Sequence, residues 1–138
     1  MSMAVSANEP DTPPTVLPTG RLREPSVLQS DRNTALAIHL TPLLFLAIGP
    51  FALVIPLVLW LVRKQESPFV DDHGREVMNF YISCTIYHAA LAVLSLVFIG
   101  LVLMPILWIV ILVSLIRGAS ASKSGEYFRY PMTIRFLS

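Results

Sequence analysis

The chain has 138 residues, of which 54% are hydrophobic and only 14% charged, with a formal net charge of +1 and a mean hydropathy of +0.66. A soluble domain is rarely so apolar, and a charge balance this near neutral excludes the basic footprint of a nucleic-acid binder. The single Cys84 rules out an intramolecular disulfide framework.

Residues 1–32 hold Pro10, Pro13, Pro14, Pro18 and Pro25, scattered charges, and no apolar run long enough for a cleavable signal peptide, so they read as a disordered tail. From Asn33 to Val62 there is then no Asp, Glu, Lys or Arg, and from Val77 to Ile116 there is none either. A charge costs about 2.5–3.5 kcal/mol at the centre of a membrane helix, so both stretches point to lipid. One crossing takes about 20 residues. The second stretch accommodates two crossings, broken near Gly100 with Pro105 suited to the first turn of the new helix, which gives segments of about 76–98 and 101–122. The first stretch is too long for one upright crossing and too short for two complete ones. Pro42, Pro50, Pro56 and the Gly49-Pro50 turn signal divide it into legs of about 33–48 and 50–63, a re-entrant or distorted hairpin. The expected fold is all-α: a polytopic transmembrane helical bundle over 33–137, built of two helical hairpins, the first short and proline-broken.

In that arrangement every basic residue falls on one side of the bilayer. Arg21, Arg23 and Arg32 lie in the tail, Arg63, Lys64 and Arg75 in a charged loop over 63–76, and Arg117, Lys123, Arg129 and Arg135 at the end. The positive-inside rule then puts both termini in the cytoplasm and the protein in the cell (inner) membrane; three crossings would leave a weaker asymmetry.

Within the loop, Asp71 and Asp72 supply a cap and negative charge to a helix beginning near His73. Arg75 with Asn79, and Glu76 with Phe80, stand four apart and sort polar from apolar faces. The alternative use of Asp71, Asp72, His73, Arg75, Glu76 and Asn79 is an interaction or gating surface. They lack the spacing of a metal site.

His88 is an ionisable residue near mid-bilayer, fit either for a hydrogen bond to another helix, with His39 as partner, or for proton relay or ligand contact. Metal ligation by His39, His88 and Cys84 has no spacing signature, and Cys84 reads as a small packed residue. Ser114, Gly118 and Ser122 recur every four residues and predict a close helix-packing seam, within the chain or between two copies. Tyr127, Phe128, Arg129 and Tyr130 fit an interfacial aromatic belt, with residues 131–136 along the membrane surface.

The run Ser67-Pro68-Phe69-Val70-Asp71-Asp72-His73-Gly74-Arg75-Glu76 with Asn79-Phe80 resembles the signature of a bacterial family of small membrane proteins known as a domain of unknown function. Gly125-Glu126-Tyr127-Phe128-Arg129-Tyr130-Pro131-Met132-Thr133-Ile134 resembles its closing motif and His39-Leu40 its opening one. That family is similar, more distantly, to the small four-helix component of the protein-import translocon of the chloroplast inner envelope. The resemblance implies a helical membrane bundle with no enzymatic activity, cofactor or catalytic residue, and it suggests a link to protein translocation. The function expected is therefore a non-enzymatic membrane module resembling import or insertion components, in contact with the lipid bilayer and with a membrane-protein partner or a second copy of itself. The alternative is a small solute transporter or pore subunit that uses the broken first hairpin and His88. A membrane enzyme fits least, because no nucleophile and base pair at recognisable spacing.

Overall fold

A computed structural model describes residues 13–44 and 48–138. Its longest helix, α3 (Pro68–Leu94), starts at Ser67, whose hydroxyl accepts the Val70 amide at 3.4 Å. A residue before proline is pushed towards extended backbone, which a cap requires, and Pro68 occupies a first-turn position that needs no amide proton. The helix thus begins well before His73, and most of the expected loop over 63–76 is helical. Asp71 and Asp72 lie inside α3 and do not cap it, although Asp71 does place its negative charge in the first turn.

The hairpin that α3 forms with α4 (Ile99–Lys123) turns through a 3-10 segment, Ser95–Val97, and through Phe98 at φ 65°. The break is at Phe98 instead of Gly100. Gly100 serves close packing, since a Cβ there would run into the Leu91 carbonyl. Pro105 falls inside α4 and not in its first turn.

The first hairpin consists of α1 (Gln29–Leu40), 3-10 segments at Thr41–Leu44 and Gly49–Leu53, and α2 (Val54–Arg63). Pro42 and Pro50 sit in the 3-10 segments, as residues that cannot donate to a helix should. Residues 45–47, at the end of the expected first leg, lie outside the described residues. At about 1.5 Å per residue, α1 is about 18 Å long and α2 about 15 Å, against a hydrocarbon core of about 30 Å. Among the described residues two helices are long and apolar enough to cross a membrane, Pro68–Val97 and Ile99–Lys123. Arg63 bonds Asp31 at 3.2 Å and joins the open ends of the first hairpin.

Part of the stretch expected as tail carries a small hairpin. Its strands β1 (Thr15–Val16) and β2 (Leu22–Arg23) are antiparallel, with Thr15 opposite Arg23, and Gly20 turns between them at φ 75°. The far side of β2 meets the chain after α4: Tyr127 N–H donates to the Leu22 carbonyl at 2.8 Å and Glu24 N–H to that of Gly125 at 2.9 Å. Backbone pairing with a segment a hundred residues away supplies this order, and local composition carries no trace of it.

In the α3–α4 hairpin burial is confined almost entirely to one end. On α3 it runs from Phe69 to Cys84 and stops, and on α4 it returns only from Ser114 to Ser122, apart from Gly100. The core joins Ile38, Trp60, Val77, Phe80, Leu115, Phe128 and Tyr130 there. The other end is apolar and uncovered, with Leu96 82% and Phe98 75% exposed.

Candidate functional site

The polar residues of α3 are organised against the C-terminal segment, which turns at Pro131 and Met132, the latter at φ 59°, and then runs along that helix. Asn79, Ser83 and Tyr87 stand one turn apart on one face and bond its main chain. Asn79 Oδ1 accepts the amides of Phe136 at 2.9 Å and Leu137 at 2.8 Å, while its Nδ2 donates to the Leu137 carbonyl at 2.9 Å. Ser83 Oγ accepts the Ile134 amide at 2.8 Å, and the Tyr87 hydroxyl donates to the Met132 carbonyl at 2.6 Å. An extended strand beside lipid would otherwise leave its backbone polar groups unmatched at several kcal/mol each. Met132, Ile134 and Phe136 are exposed, as is Arg135, so this segment presents a largely apolar outer surface over a backbone bonded to α3.

Nearer the charged end, the same helix holds the segment through carboxylates. Glu76, 4% exposed, accepts the Tyr130 amide at 2.8 Å and lies 3.4 Å from Arg135. Asp72 takes both Arg129 nitrogens at 2.6 Å, a forked pair that raises the guanidinium above its usual range. Asp71 accepts the Trp60 indole N–H at 2.9 Å and pairs with Arg75 at 2.6 Å. Of the six residues expected as an interaction surface, His73, Glu76 and Asn79 are buried, and the aspartates and Arg75 have partners within the chain.

The deepest part of this collar is a chain of three rings. His39 on α1 places Nδ1 2.5 Å from the Tyr130 hydroxyl and Nε2 2.7 Å from Nδ1 of His73 on α3. Burial, followed by the Glu76 charge, pushes the Tyr130 phenol up, so it keeps its proton. With Tyr130 donating, the protons run from Tyr130 to His39 to His73, and the last N–H belongs to His73 Nε2. That atom is buried beside the Glu126 main chain, short of good hydrogen-bond geometry.

Gly118 on α4 makes room for this chain, since a Cβ there would stand 2.6 Å from His39 Nδ1 and 2.9 Å from the Tyr130 oxygen. The seam of Ser114, Gly118 and Ser122 is thus buried inside one chain, where it admits α1. Ser122 returns its hydroxyl to the Ala119 carbonyl at 2.8 Å.

His88 does not meet His39. Its Nδ1 donates to the Cys84 carbonyl of its own helix at 2.7 Å, and its ring stands edge-on to Trp108 with centroids 6.0 Å apart. Fifteen helical residues put it about 22 Å beyond His73 along α3, out of reach of the collar. Phe128 and Tyr130 leave the expected aromatic belt as well: both are 3% exposed, and Tyr130 stacks on Phe80 at 4.1 Å. Their spacing of two residues, with Arg129 outward between them, is the strand-like signal that marks them as inward-facing. Tyr127 stays half-buried, its phenol raised by burial and by the hydrogen bond it donates to Glu24 at 2.7 Å. Among the described residues no group of three or more His, Cys, Asp or Glu is placed to hold a metal ion.

The family model of MamF/MmsF, described as the magnetosome magnetite crystal formation protein family, matches residues 30–137. The chain belongs to this family. That match spans α1 through the C-terminal segment and contains both motifs, 67–80 and 125–134, that suggested the domain of unknown function and the import translocon; it overturns that resemblance. Neither an import component nor a transporter is what the MamF/MmsF match supports. Family membership and the two long apolar helices make the chain a membrane protein. Comparison with curated proteins and with solved structures gives no match.

Proposed function

We propose that this MamF/MmsF member is a non-enzymatic component of the membrane around forming magnetite, acting on crystal formation through the bilayer and its protein partners without touching the mineral. In this reading α3 and α4 cross as a hairpin, the first hairpin is re-entrant beside them, and both termini face the cytoplasm. The observation that carries it is the distribution of charge. Asn33–Val62 and Val77–Ile116 have no charged residue, so the turns of both hairpins offer the far side of the membrane neither a carboxylate for iron nor a base for its hydroxides. Charged side chains are gathered in the collar, where ion pairs knit Asp31 to Arg63, Asp72 to Arg129 and Glu126 to Arg21. Positive-inside orientation places that collar in the cytoplasm. From there it reaches membrane-protein partners or a second copy of itself.

The test is deletion of the chain in a magnetite-forming host, followed by complementation and electron microscopy of the crystals. Deletion should change crystal size or shape, and the intact chain should restore it. Introducing Asp residues at Leu96 and Phe98 should give no improvement over the intact chain. Unchanged crystals after deletion would remove the role. Termini labelled only from the far side, using an impermeant reagent on single cysteines in a Cys84→Ser background, would reverse the orientation and with it the separation from mineral.

A further inference from the structure

The collar contains a cavity of about 770 Å³ lined by Arg21, Arg117 and Arg129, with Asp72 as its sole lining carboxylate and Phe128 and Tyr127 among its walls. The charge in it is unbalanced. Asp72 is taken up by the forked pair with Arg129. Arg21 reaches out to Glu126 at 3.2 Å, a residue outside the lining, while its guanidinium lies 5.1 Å over the Phe128 ring. Arg117 is exposed and forms no ion pair among the described residues. Its position is informative: Arg117 ends the charge-free stretch of α4 that runs to Ile116, and Asp72 stands little more than one helical turn before the charge-free stretch that begins at Val77 of α3. The mouth of the cavity therefore lies at the level where hydrocarbon gives way to headgroups.

We infer that this cavity binds a phosphate group, supplied by the headgroup of an anionic phospholipid. Guanidinium forks match phosphate oxygens in geometry and charge, Arg117 is the uncommitted donor, and Arg129 and Arg21 are already fixed in place by Asp72 and by the Phe128 ring. The aromatic and apolar wall suits the glycerol and first methylenes next to such a phosphate. The inference goes beyond the role in crystal formation and rests only on α3 and α4 being embedded.

The experiment uses the full chain purified in mild detergent and passed through mixed phosphatidylcholine and phosphatidylglycerol micelles, with retained lipid read by native mass spectrometry. Phosphatidylglycerol should be retained over phosphatidylcholine, and Arg117→Ala should weaken that preference about fivefold, the effect of one interfacial arginine. Lys123→Ala, on the same helix but outside the lining, should leave it unchanged. Because Arg117 forms no ion pair among the described residues, its replacement should not alter the melting temperature. Equal losses for Arg117→Ala and Lys123→Ala would reduce the effect to diffuse surface charge and overturn the site. Retention of inorganic phosphate, sensitive to Arg117, with no lipid preference would overturn the lipid as occupant. Crystal formation does not enter any of these readouts, so failure here and failure of the proposed function are separable.

Discussion

The two halves of the α3–α4 hairpin obey opposite rules. Between Thr85 and Val113 only Gly100 is buried, and the exposed side chains include Val93, Leu101, Val102 and Ile109. Between Phe69 and Cys84, and again between Ser114 and Ser122, the helices bury His73, Glu76, Asn79 and Ser83 among their apolar neighbours, each polar group except His73 Nε2 with a partner. A water-soluble protein hides its oil and shows its charge; here one half shows its oil and the other hides its polar groups. Each half is stable only in its own surroundings. The uncovered half loses nothing in lipid, whereas the collar is held by directional bonds that lipid cannot replace.

The comparison can be broken most decisively from the apolar side. Ile109→Lys, at a position 62% exposed, should cost about 3 kcal/mol of insertion and shift the protein out of the carbonate-resistant membrane fraction. Ordinary partitioning of that variant would mean that this face does not meet lipid. Gly118→Leu should cost about 2–3 kcal/mol by driving a side chain into His39 and Tyr130, read as a lower melting temperature in detergent with membrane insertion retained. Asn79→Leu removes three bonds to the C-terminal segment and should cost about 2 kcal/mol. Limited proteolysis should then cut among residues 131–137 in the variant and spare them in the parent. The smallest effect belongs to Arg129→Gln, below about 1 kcal/mol, because that pair is half open to solvent. A large loss there would mean that the collar's stability lies in its surface charges and not in its buried bonds.

Much of the uncovered half could be read in advance, because the absence of charge over Val77–Ile116 is a property of composition and lipid acts on composition. The division of the first hairpin by Pro42 and Pro50 was equally legible, since proline acts locally. The start of α3 has a signal in the sequence, Ser67-Pro68, a cap followed by a first-turn proline, but Asp71 and Asp72 mimic a later start because aspartate is also a favoured capping residue. The collar was the least legible. Nothing in the sequence around His39 indicates that its partners are His73 and Tyr130, 34 and 91 residues away, and the five prolines of the first thirty residues outweighed a two-residue strand that is ordered only by pairing with the end of the chain. The spacing of Gly118 marks it as a packing residue, but what it packs against depends on tertiary structure.

The spacing of Asn79, Ser83 and Tyr87 carries one more consequence. Side chains one helical turn apart recur about every 6 Å, and an extended chain advances about 6.6 Å for every two residues. Helix and strand therefore keep step for a few residues before drifting apart, so α3 acts as a short ruler against which the C-terminal segment is measured. A slip of one residue would turn Ile134 and Phe136 towards the helix and carry Thr133 outward. The ruler makes the sequence of the last residues a matter of register as well as of composition, and inserting a single residue after Pro131 should be more disruptive than inserting two.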